Sequence, residues 1–252
     1  MRLLFYCKTL TLCVKFKSMK QNYGFLSGNA LKIIALVTMT LDHIGYILLP
    51  EIVWLRIIGR IAFPVFAYLI AEGCKYTKNK LKYFLLIFLL GLFCQVFAYC
   101  FAGQTKLNIL LTFSFSIALI YLLNWIKTSI KNANKKHIAI SVILFVLSLV
   151  ATFLLTSNSL SFSPISVDYG FWGIMVAVLV SVFDNHYLKA VLFAIALILV
   201  SLNYSIIQWF SLVSVALVLW YNGKRGKYNL KYLFYVYYPL HLAVIYLLKL
   251  II

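Results

Sequence analysis

The chain has 252 residues, of which 64% are hydrophobic and only 11% charged, and its formal net charge is +18. That balance excludes a soluble globular domain and predicts an all-α, polytopic transmembrane helix bundle. It also excludes nucleic acid as a partner, because the cations form no basic domain and lie between apolar runs, as topology signals do.

In chain order, residues 1–30 form a basic segment with Arg2, Lys8, Lys15, Lys17 and Lys20. Lys8 and Lys15 interrupt its apolar stretch and no small-residue cleavage site follows, which argues against a secretory signal. Two readings stand: an interfacial amphipathic segment, or sequence upstream of a true start at Met19. Residues 31–252 read as a single transmembrane domain with no internal repeat. Apolar runs lie near 31–49, 54–72, 82–102, 108–126, 138–156, 169–184, 188–202, 205–221 and 232–250. Each approaches the ~20 residues a helix needs to cross the hydrocarbon core, so about nine spans are expected. The runs near 169–184 and 188–202 are short and also read as one broken or re-entrant element.

The connecting segments alternate in charge. Lys75, Lys78, Lys80 and Lys82 follow the second run, Lys127, Lys131, Lys135 and Lys136 the fourth, and Lys224, Arg225, Lys227 and Lys231 the eighth. Of the cations, the sixth connection carries only Lys189, the odd-numbered connections carry only Lys106, and the C-terminal end carries Lys249. The positive-inside rule then predicts the N-terminus inside and the C-terminus outside. Nineteen of the 23 cations are Lys, a bias typical of a low-GC bacterium, and the expected location is the bacterial cytoplasmic membrane. The five Cys form no CxxC and no Cys/His cluster, so buried thiols are expected and no metal site.

Against this background the few ionisable groups inside apolar runs stand out. Asp42 adjoins His43 late in the first run, Arg56 and Arg60 lie in the second, and Glu72 closes it. A charged side chain at the bilayer centre costs about 2.5–3.5 kcal/mol even on insertion scales, so these groups are expected to face a protein-lined interior. His43 can take and return a proton near neutral pH. Consecutive helix positions point about 100° apart, so Asp42 and His43 cannot pair squarely with each other. Arg56 and Arg60, four apart, share a face and suit a phosphate or carboxylate. The competing reading of that pair is internal ion pairing with Asp42, Glu51 or Glu72. Pro64 is expected to kink the second helix and Pro239 to open the last one, two residues before the deeply placed His241. Asn108 and Asp168-Tyr169-Gly170 open later runs, where an Asn or Asp most often acts as a cap.

These segments together resemble the TraX family of polytopic membrane proteins. The residues that carry the resemblance are Leu31-Lys32-Ile33-Ile34-Ala35, Met39-Thr40-Leu41-Asp42-His43-Ile44-Gly45, Arg56-Ile57-Ile58-Gly59-Arg60-Ile61-Ala62-Phe63-Pro64 and Ala71-Glu72-Gly73. Further on they include Leu107-Asn108-Ile109-Leu110-Leu111-Thr112, Asp168-Tyr169-Gly170-Phe171-Trp172-Gly173-Ile174 and Tyr238-Pro239-Leu240-His241-Leu242. The match runs in order over residues 28–250. The best-known member of the family acetylates the N-terminus of conjugative pilin in the inner membrane. The family is also similar to integral-membrane acyltransferases that O-acylate envelope glycans from acyl-CoA. In those enzymes a His near the far end of the first helix, some eleven residues after a basic residue, is the proposed base; Lys32 and His43 match that spacing. Their Arg-x-x-Arg donor motif is approximated by Arg56-x-x-x-Arg60, with one residue more.

The resemblance thus implies a membrane-embedded acetyltransferase that moves an acetyl or acyl group from acetyl-CoA to an amine or hydroxyl of an envelope or pilin-like acceptor. His43 with Asp42 would be catalytic, and Arg56, Arg60 and Lys32 would hold the donor. His241, Glu72, Asn108, Asp168 and Tyr169 would line the cavity. Two alternatives remain at this stage: a transporter of an anionic envelope precursor, and a non-catalytic conjugation or envelope assembly factor.

Overall fold

The computed structural model describes residues 24–156, 166–228 and 231–251. Most of the basic N-terminal segment, including the position of Met19, lies outside the described residues. Every apolar run is helical: α1 (Gly28–Ile47), α2 (Val53–Gly59), α3 (Ala62–Tyr76), α4 (Lys80–Ala102), α5 (Ile109–Lys131), α6 (Lys135–Thr156), α7 (Gly170–Val180), α8 (His186–Leu202), a 3₁₀ segment (Ile206–Leu212) continuing into α9 (Val213–Leu219), and α10 (Lys231–Ile251). Six segments are long and apolar enough to cross a membrane: Gly28–Ile47, Val53–Tyr76, Lys80–Phe101, Ile109–Lys131, Lys135–Thr156 and Leu233–Ile251. The remaining three of the nine expected runs are shorter, at Gly170–Val180, His186–Leu202 and Ile206–Leu219. At 1.5 Å per residue, α7 spans only ~16 Å, about half of a ~30 Å hydrocarbon core.

The helix ends follow from local chemistry. Ser27, Asn79, Asn108 and Asn185 each accept hydrogen bonds from the first backbone N–H groups of the helix that follows. Gly103, left-handed at φ 61°, closes α4. The second span is interrupted at Arg60 and Ile61, and Pro64 sits in the first turn of α3. Pro64 has no N–H to offer the carbonyl four residues back, at Arg60, which is where the helix breaks. Pro239 behaves differently from the expectation: α10 runs unbroken through it.

The core lies where α3, α5, α7 and α8 meet, built from Val65, Tyr68, Ile117, Ile174, Phe193 and Leu197, all at most 1% exposed. The peripheral helices present the opposite picture. Leu89 and Val96 on α4, and Ile143, Leu147 and Leu154 on α6, are half or more exposed although apolar. Such continuous apolar surface on helices of spanning length is what acyl chains cover, which fits a lipid bilayer as the surroundings. α1 packs closely on α2 because Gly45 and Gly59 carry no side chain: a methyl group at Gly59 would collide with Asp42, and one at Gly45 would lie 2.7 Å from Leu55 Cβ.

Candidate functional site

Two cavities lie at opposite ends of α1. One, of about 690 Å³, is lined by Gly28, Lys32, Leu36 and Met39 from the first part of α1. The other, of about 630 Å³, is lined by Asp42, His43, Tyr46 and Ile47 from its last part. Tyr238 of α10 lines both. Met39 and His43 are one helical turn apart, so the two spaces approach each other at the level of His43.

His43 is held from two sides. Its Nδ1 lies 2.9 Å from the Met39 carbonyl oxygen and 3.3 Å from Nε2 of His241. The carbonyl can only accept, so in the neutral ring the proton sits on Nδ1. His241 in turn has its Nδ1 2.9 Å from the Tyr237 carbonyl, so it donates there and its Nε2 lone pair accepts from His43. The His43 Nδ1–H is therefore shared between Met39 and His241, and His43 Nε2 keeps its lone pair. Among the described residues no bond reaches that Nε2, and His43 lines the second cavity. The Tyr237 ring stacks on His241, with centroids 5.4 Å apart, and its hydroxyl bonds Thr40 Oγ1 at 2.7 Å, tying α10 to α1. His241 itself is buried, packed behind His43.

Asp42 does not orient His43. Its carboxylate is bridged by both guanidiniums: Arg60 Nη2 pairs with Oδ1, and Arg56 Nη1 with Oδ2 at 3.0 Å. The i, i+4 pair thus meets its internal acid, one of the partners anticipated from sequence. The two arginines differ in how fully they are used. Arg60 also donates from Nε to the Arg56 carbonyl (3.3 Å) and from Nη1 to the Tyr169 hydroxyl (3.3 Å) and Gln208 Oε1 (3.4 Å). Among the described residues Arg56 bonds only through Nη1, to Asp42, and lies over the Tyr46 ring at 4.9 Å.

The supporting residues fall into place around this centre. Asn108 caps α5 through Oδ1, donates from its side chain to the Gly91 carbonyl at 2.8 Å, and donates from its backbone N–H to Gln95 Oε1 at 2.8 Å. It lines the His43 cavity with all of these groups committed to structure. Asp168, by contrast, is not a cap; the residue before α7 is Tyr169, left-handed at φ 59°. Asp168 pairs with Lys106 at 3.2 Å, and Tyr169 stacks on Phe63 with centroids 3.9 Å apart. Both line the His43 cavity.

Lys32 and Glu72 belong to the other cavity. Lys32 is therefore separated from Arg56 and Arg60, with which it was grouped from sequence. It shares its cavity with the exposed Lys78, Lys82 and Arg225, and lies over the Phe234 ring at 4.9 Å. Glu72 forms a buried ion pair with Lys189 of α8, a residue that reads from sequence as an ordinary loop charge. Sequence reasoning also passed over Gln208, 1% exposed against Arg60; its signal was a lone amide in an otherwise apolar run. No group of three or more His, Cys, Asp or Glu able to hold a metal occurs among the described residues.

Comparison with known proteins agrees in extent with the helical domain. The family model described as "TraX protein" matches residues 27–249. The probable fimbrial assembly protein FimC, serogroup H1, of Dichelobacter nodosus is 26% identical over 257 aligned residues, covering 90% of this chain and 97% of the relative. An uncharacterized protein of Rickettsia prowazekii (strain Madrid E) is 35% identical over 130 residues, about half of each chain. No solved structure matches.

Proposed function

This chain belongs to the TraX family, and we propose that it is a membrane-embedded acyltransferase that moves an acetyl group from acetyl-CoA to a nucleophile of an envelope or pilus component. The observation that carries the reading is His43. Its proton is pinned on Nδ1 by Met39 and His241, its Nε2 is unbonded among the described residues, and it lines one cavity while standing one turn beyond Met39, which lines another. A lone acceptor nitrogen between two separate spaces suits a base acting on two substrates that arrive from different sides.

The roles follow from charge. The Lys32 cavity carries Lys32, Lys78, Lys82 and Arg225, and its acid Glu72 is neutralised by Lys189. Phosphates of the donor would be held there, with the acyl arm directed along Leu36 and Met39 toward His43. By the positive-inside rule this basic end faces the cytoplasm, where the donor is made. The His43 cavity would take the acceptor. His43 Nε2 removes the acceptor proton, the nucleophile attacks the thioester carbonyl, the C–S bond breaks, and the imidazolium returns the proton to the departing thiolate. On this division Arg56 and Arg60 serve the acceptor side, while Lys32 serves the donor side. The similarity to a relative named as a fimbrial assembly protein fits a pilus-associated acceptor. The decisive experiment is labelled acetyl-CoA given to purified protein in proteoliposomes with an envelope extract. Label should enter the extract with the intact protein and not with His43→Ala. Transfer by neither would favour a non-catalytic assembly role.

A further inference from the structure

Among the described residues, the charged groups lining the His43 cavity, apart from the histidine, are Arg56, Arg60, Lys106, Asp42 and Asp168: three cations against two carboxylates. Both carboxylates are occupied, Asp42 by the two arginines and Asp168 by Lys106. No acid is therefore left to receive an ammonium group, and one guanidinium is in surplus. The surplus is localised. Arg60 is bonded through all three of its nitrogens, with a 12% exposed side chain, whereas Arg56 is 27% exposed and uses only Nη1. Arg56 lines the cavity, and among the described residues its Nε and Nη2 form no bond, which leaves one guanidinium edge of two adjacent donors of the kind an oxyanion accepts in parallel. The Tyr204 hydroxyl, on a residue lining the same space, is buried with no bonding partner.

Resting on the acyltransferase reading above, we propose that the acceptor carries an oxyanion, a carboxylate or phosphate, that docks on the open edge of Arg56, and that it presents a hydroxyl, not a protonated amine, to His43. The oxyanion neutralises the surplus charge, and the hydroxyl proton passes to His43 Nε2. Four acceptors test this with labelled acetyl-CoA and the full chain in proteoliposomes: a uronic acid oligosaccharide, a sugar phosphate, the neutral counterpart of the first with its carboxyls reduced, and a short peptide with a free N-terminus. The two anionic sugars should exceed the neutral one by about tenfold or more in kcat/KM, the scale of one charge-assisted hydrogen bond, and the peptide should trail both. Arg56→Gln should collapse the anionic-to-neutral ratio toward one, and Arg56→Lys should restore part of it. The comparison among acceptors with the unaltered chain keeps the test valid even where a variant folds poorly. Equal use of neutral and anionic sugars, preference for the peptide, or an unchanged ratio in Arg56→Gln overturns this proposal while leaving acyl transfer intact. Absence of transfer to any acceptor, the envelope extract included, overturns both.

Discussion

Replacing His241 by alanine while keeping His43 separates a base from the group that steadies it. The geometry sets the scale of each loss. His43 Nδ1 is held at 2.9 Å by the Met39 carbonyl and at 3.3 Å by His241. Removing His241 takes away the longer of two restraints and leaves the proton on Nδ1, since Met39 still accepts it. One such hydrogen bond contributes about 0.5–1.5 kcal/mol, which at 1.36 kcal/mol per decade corresponds to a slowing of roughly 2- to 12-fold. Removing His43 deletes the accepting Nε2 itself, and a lost general base typically costs 10²–10⁴-fold, or about 2.7–5.4 kcal/mol. Single-turnover transfer of labelled acetyl from acetyl-CoA, in proteoliposomes with matched amounts of folded protein, reads both numbers. The double variant should be no slower than His43→Ala alone, because His241 acts only through His43. Near-normal transfer by His43→Ala would refute the assignment of the base. A loss in His241→Ala equal to that in His43→Ala, with folded protein confirmed, would show that His241 touches the reacting groups and would refute the positioning role.

Three further outcomes test the scaffold around that pair. Asp42→Asn leaves two guanidiniums without their shared carboxylate; breaking a buried pair costs about 3–5 kcal/mol, and with side chains 12–27% exposed the low end applies, so thermal unfolding in detergent should fall by several degrees, and an unchanged midpoint would mean the bridge contributes little. Gly59→Ala drives a methyl group into Asp42 and should destabilise by about 1–3 kcal/mol, the usual cost of overpacking, with Gly59→Leu worse; tolerance of both would mean that α1 and α2 do not approach as closely as described. Reporters fused after Lys78 or Lys135 should read cytoplasmic and one near Ser161, outside the described residues, external; reversed signals would invert the assignment of donor and acceptor cavities.

Much of this protein is legible in one dimension because the bilayer imposes a one-dimensional test. Span length and mean hydropathy are local sums, so the helices at 28–47, 53–76, 80–101, 109–131, 135–156 and 233–251 follow from sequence. The three shorter helices are legible in sequence as well, and two of them, near 169–184 and 188–202, already read there as short; only at Ile206–Leu219 does the structure shorten a run with no such sign. The interior placement of Asp42, Arg56 and Arg60 likewise follows from the cost of exposing charge to hydrocarbon, without any knowledge of neighbours.

Pairing is a different kind of fact. The desolvation cost says that Asp42 must find a cation, but only the close approach of α1 and α2, permitted by Gly45 and Gly59, selects Arg56 and Arg60 over other candidates. The same holds for Glu72, whose partner Lys189 lies 117 residues away on α8, and for His43 and His241, 198 residues apart and joined because α10 packs on α1. Lys32 and Arg60 look equivalent in sequence, as basic residues in neighbouring spans. They sit in separate cavities because one lies in the first turns of α1 and the other at the break above α3. Hydropathy is fixed residue by residue, whereas the distance between two side chains depends on how every intervening helix packs, and it is those distances that turn a set of polar residues into a site.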